Sequence, residues 1–68
     1  MADILMKVVA VRATGDEDLL NVMTPFVPFR DEQIVVKDKL YSVDRVKWVF
    51  DDALLGQRSV TLYVSRLG

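Results

Sequence analysis

Along residues 39–50, KLYSVDRVKWVF, an alternating row of apolar side chains changes parity once. Tyr41 and Val43 stand at odd positions; Val46, Trp48 and Phe50 stand at even ones. A strand sends alternate side chains to opposite faces, so an unbroken strand would turn its second half inside out. One extra residue near Asp44 and Arg45 cancels the slip. That is a β-bulge, which bends the strand and keeps the five apolar side chains on one buried side. A corner between two separate strands satisfies the same pattern. In either reading the chain bends here, and Trp48, between Val46 and Phe50, is expected in the core.

The neighbouring segments read as strands and turns. QIVVK, residues 33–37, is a short strand, and KDK is a tight turn in which Asp38 tolerates the positive φ of a hairpin. Strands near 34–36 and 40–50 therefore pair. In SVTLYVSRL, Val60, Leu62 and Val64 face one way, and Ser59, Thr61, Tyr63 and Ser65 the other. The first strand, ILMKVVAVRAT, is apolar on both parities: Ile4, Met6, Val8 and Ala10 form one row, and Leu5, Val9, Val11 and Ala13 the other. Either a second molecule covers one row, or the strand coils at a corner.

Two stretches are ambiguous between helix and strand, or between core and surface. After the Gly15–Asp16 turn, Asp16 or Asp18 can cap a helical turn through Leu19, Leu20 and Val22, or a second strand can start there. PFVPF, residues 25–29, cannot pair regularly because of its prolines. It reads as an extended connector whose Phe26 and Phe29 plug the end of a core, or else as an exposed aromatic grip. DDALLGQ, residues 51–57, reads as one helical turn capped by Asp51 or Asp52 and ended at Gly56.

A chain of 68 residues forms one domain, residues 1–68. Domains this small commonly need a disulfide, a metal or a partner. Cysteine and histidine are both absent, which closes the first route and removes the usual zinc ligands. With 51% hydrophobic residues, association is the remaining help, as a homodimer or other homo-oligomer. Nine basic and ten acidic residues give no overall field for nucleic acid or an anionic membrane. No apolar run reaches the ~20 residues of a membrane span, and the start lacks the basic region of a signal peptide. The expected setting is the cytoplasm.

The expected fold is mainly β: a small antiparallel barrel or half-barrel with a bulged long strand and at most a short helical turn. PFRDEQIVVKDKLYSVDRVKW, residues 28–48, resembles the hairpin of SH3-like barrels. The same stretch, with its Y-x-V and V-x-W, resembles short uncharacterised proteins of phages and other mobile elements. That likeness implies a phage context and a host cytoplasm, and no activity.

Little in the chain suggests catalysis. No triad, thiolate or glycine-rich phosphate loop can be assembled. Asp16, Glu17 and Asp18 offer oxygens to a hard cation but lack the spacing of a calcium loop; acids at turns are normally caps. No metal or cofactor is expected, and the chain is read as a non-enzyme. Two binding surfaces remain. The apolar one comprises Met6, Val8, Val9, Val11, Phe26, Leu54 and Leu55, and fits protein–protein contact: an adaptor, a virion part or an inhibitor of a host factor. The basic one comprises Lys37, Lys39, Arg45, Lys47 and Tyr63, and would serve single-stranded nucleic acid. Asp38, Asp44, Asp51 and Asp52 dilute it, so charge guarding an edge strand is the preferred account of it. Protein binding is the leading expectation.

Overall fold

A computed structural model describes residues 3–50 and 58–67. Five strands form a single curled sheet: β1 (Ile4–Ala10), β2 (Glu17–Thr24), β3 (Gln33–Val36), β4 (Lys39–Val49) and β5 (Ser59–Arg66). Their order is β2-β1-β5-β4-β3, and they make a half-barrel. No helix occurs among the described residues, so 17–24 is a strand. The helical turn expected at 51–57 lies outside the described residues. One expectation is corrected: the sheet is mixed, because β1 and β5 run parallel, Met6 beside Val60 and Val8 beside Leu62.

The core lies on the concave face. Ile4, Met6, Val8 and Ala10 of β1 join Val60, Leu62 and Val64 of β5, with Tyr41 and Val43 of β4, Val36 of β3 and Leu19 of β2. The even row of β1 is thus the inner one. β1 also lies inside the sheet, with β2 and β5 on its two sides. Its edge is taken, so a second copy cannot pair with that edge.

Both bulges serve this core. Register shifts between Val43 and Arg45, leaving Asp44 as the extra residue. Val43 and Val46 stay beside Val64 and Leu62, while Asp44 turns to the convex face and accepts a hydrogen bond from Ser65 Oγ. On β2 the shift falls opposite Val8 and Val9, where Leu20 and Asp18 are the partners and Leu19 is extra. Leu19 and Leu20 then both turn inward, and Leu19 is buried.

The β3–β4 turn has Lys37 at φ 53° and Asp38 at φ 66°. Two successive positive φ angles are the two-residue hairpin geometry whose twist suits the flanking strands. Neither residue is glycine, so each carries left-handed strain. Asp38→Gly is expected to stabilise the fold by about 0.5–1 kcal/mol, raising Tm by roughly 4 °C in a domain this small. Thermal unfolding followed by circular dichroism checks it; an unchanged or lower Tm would refute the strain.

β2 and β3 occupy opposite edges, so residues 25–32 must cross the half-barrel between them. Four strand spacings of ~4.8 Å make about 19 Å, within the reach of an extended connector of this length. The connector crosses over the concave face as a strap and packs Val27 against the core. Its far end is fastened backbone to backbone: Asp31 N–H donates to Val43 O (2.8 Å), and Val43 N–H donates to Glu32 O (2.9 Å).

Candidate functional site

Val27 is the strap's core residue, and the two phenylalanines are not. Phe26 is 75% and Phe29 76% exposed, which corrects the expectation that they plug the core. The local bonding explains their direction. Thr24 Oγ1 donates to Phe26 O (2.8 Å), and Phe29 N–H donates to Glu32 Oε1 (2.5 Å) while Glu32 N–H donates to Phe29 O (3.2 Å). These two turns leave Val27 pointing inward between outward neighbours.

Trp48 also departs from expectation. Its face is the expected one, since it registers with Val60 on the concave side. Yet it is 41% exposed, and Phe50 beyond it is 78% exposed. The cause is the length of β3. Gln33–Val36 pairs only with residues 39–42, so among the described residues no strand lies beside Trp48 on the side away from β5. The two rings stack on each other instead, centroids 6.3 Å apart. Trp48→Ala is therefore expected to cost about 1 kcal/mol, not the 3–5 typical of a buried aromatic. Urea denaturation measures it, and acrylamide should quench Trp48 fluorescence readily in the folded state; a shielded indole would contradict the geometry.

Between the strap and the far half of β4 runs a groove of about 490 Å³. Val27, Pro28 and Phe29 form one wall, Val46 and Trp48 the other, with Arg30, Asp44 and Arg45 around them. This groove brings the exposed rings of Phe29 and Trp48 to one place.

The convex face carries the polar surface. Arg45 lies over the Tyr63 ring, 4.4 Å from its centroid, and Lys47 registers with Thr61. Lys7, which sequence reading passed over, lies in that same row across β1 and β5. Its ammonium pairs with Asp18 at 3.5 Å. Lys37 and Lys39 lie apart from this group, at the β3–β4 turn. The five basic-surface residues therefore do not form one patch, and the guanidinium of Arg45 already occupies a face of Tyr63.

Of the apolar candidates, Met6 and Val8 are enclosed in the chain's own core and offer no surface. Val9 faces the convex side between Asp18 and Tyr63, yet is only 5% exposed. Val11 and Phe26 are exposed; Leu54 and Leu55 lie outside the described residues. Phe29, Trp48 and Phe50 are additions that alternation could not supply. Periodicity names a face and leaves open whether anything covers it.

No family model, curated protein or solved structure matches this chain.

Proposed function

We propose that this chain is a non-enzymatic interaction module that binds protein through the aromatic rim of its half-barrel. One observation carries the reading: all three phenylalanines are at least three-quarters exposed, and the single tryptophan is nearly half exposed beside them. Aromatic side chains contribute more apolar area per residue than any others, and leaving four of them in water is costly. Protein interfaces are enriched in such residues at their centres. The bulged hairpin supports kinship with SH3-like barrels, against the parallel pair of β1 and β5. The phage-like stretch 28–48 supports an adaptor, virion or host-inhibitor setting in a host cytoplasm. Self-association belongs to the same proposal, through exposed apolar surface such as Leu5 and Val11.

The test compares the wild type with Phe26→Ser/Phe29→Ser in photo-cross-linking to bacterial lysate. A discrete protein adduct that the variant loses, at unchanged Tm, is the expected result. The competing reading is nucleic-acid binding by Arg45, Lys47 and Lys7 on the convex face. Oligonucleotide binding that weakens steeply with salt, and that the double variant retains, would overturn protein binding in its favour.

A further inference from the structure

β4 pairs with β5 along residues 41–49, but with β3 only along residues 39–42. The strap adds one more step at Val43 and then departs. Among the described residues, the backbone of 45–49 has no hydrogen-bonding partner on the side away from β5. Half of β4 is thus an open edge, and the groove lined by Val27, Phe29, Val46 and Trp48 runs beside it. Edge strands elsewhere are commonly blunted by proline, bulge or charge. β2, at the other margin, has all of these nearby: the bulge at Leu19, the acids Glu17 and Asp18, and Pro25 directly after it. Residues 45–49 contain no proline and follow the bulge at Asp44, and their charges are the cations Arg45 and Lys47, which guard the edge against a cationic or apolar strand and leave it open to an anionic one.

The geometry points to strand addition: an extended peptide alternating apolar and acidic residues pairs with residues 45–49 as a further strand beyond β4. This deepens the protein-binding reading and rests on it. Alternate backbone N–H and C=O groups of 45–49 supply the hydrogen bonds, as in peptide recognition at exposed sheet edges. Register supplies the pattern. Val46 and Trp48 present an apolar concave side, so every second peptide residue must be apolar to lie between them and the strap. Arg45 and Lys47 present cations on the convex side, so the intervening residues must be anionic. Asp44, the acid next to Arg45 in the chain, accepts a hydrogen bond from Ser65 Oγ. Charge also argues against a second copy of β4 in this place. It would set Arg45 and Lys47 beside their own equivalents, and like charges across a strand pair are destabilising.

The probe is a capped octapeptide alternating valine and glutamate, titrated into the ¹⁵N-labelled full chain. Amide shifts are expected at residues 45–49 and 27–30, with slowed amide exchange at alternate positions of 45–49. The valine–lysine octapeptide should bind about tenfold more weakly, and Lys47→Glu should abolish that preference without unfolding the chain. N-methylation of one alternate set of peptide amides should abolish binding, and of the other set should spare it. Equal binding of the two peptides, or shifts centred on β2, would overturn the proposal. Shifts at Phe26 and Phe29 without protection of 45–49 would overturn the added strand while leaving the aromatic rim as a binding surface. The rim itself stands or falls on the cross-linking experiment.

Discussion

Deletion of Val43 is expected to unfold the chain, whereas deletion of its neighbour Asp44 should leave it folded. Asp44 is the extra residue of β4, and its removal restores simple alternation, with Val43, Val46 and Trp48 still on the concave face and Arg45 and Lys47 still on the convex one. Removal of Val43 instead brings Asp44 to the fully buried place beside Val64. Burying an unpaired charge costs several kcal/mol, and a chain this small has only about 3–5 kcal/mol in total. Deletion of Asp44 loses the local bend and the hydrogen bond accepted from Ser65, the latter about 1 kcal/mol. Far-ultraviolet circular dichroism and amide spectra of the two variants distinguish the causes. If deletion of Asp44 unfolds the chain as well, the bend at the bulge is needed in its own right to close the half-barrel.

Leu62→Ala should be nearly as damaging. Leu62 is fully buried in the centre of β5, flanked by Val8 of β1 and Val46 of β4. Truncation there leaves a void between three strands that are hydrogen-bonded into fixed spacing and cannot collapse to fill it. Such substitutions cost about 2–5 kcal/mol, which is most or all of the stability of a domain this size. Val35→Ala, on the exposed outer side of β3, is the control and should change stability by less than about 0.5 kcal/mol. Urea midpoints at constant slope give both numbers. A Leu62→Ala protein as stable as wild type would mean that the centre of the concave face is not packed as described.

Local patterns carried much of this fold. The β3–β4 hairpin, its Lys37–Asp38 turn, the bulge at Asp44 and the inner row of β5 all follow from period-two alternation and turn chemistry, which act between near neighbours in sequence. The second bulge did not stand out: Leu19, Leu20 and Val22 also change parity, but that spacing equally fits a helical turn. What alternation lacked was information from distant segments. Both rows of β1 are apolar, and only its parallel neighbour β5 decides which faces inward. Trp48 was placed on the correct face, but β3 begins only at Gln33, beside Ser42, and leaves that face uncovered farther along β4. Phe26 and Phe29 are turned out by hydrogen bonds within the strap, which composition does not encode. The candidate site was least legible for the same reason, since it consists of faces that the chain leaves open.

The parallel pairing of β1 with β5 has a kinetic consequence. Leu5 stands beside Ser59, so the sheet closes only after a loop of more than fifty residues has been drawn together, at an entropic cost of about 3.5 kcal/mol. The β3–β4 hairpin needs only its two-residue turn and can form within microseconds. β1 can pair early with β2, made just after it, but most of its inner row stays in water until β5 arrives. A chain built this way is expected to have a chaperone-sensitive window that ends when β5 docks. Pulse-labelled amide exchange during refolding should show residues 34–42 protected first, and Val8 and Leu62 protected together in a later step. Simultaneous protection of all five strands would mean that the two distant strands find each other before any local hairpin is stable.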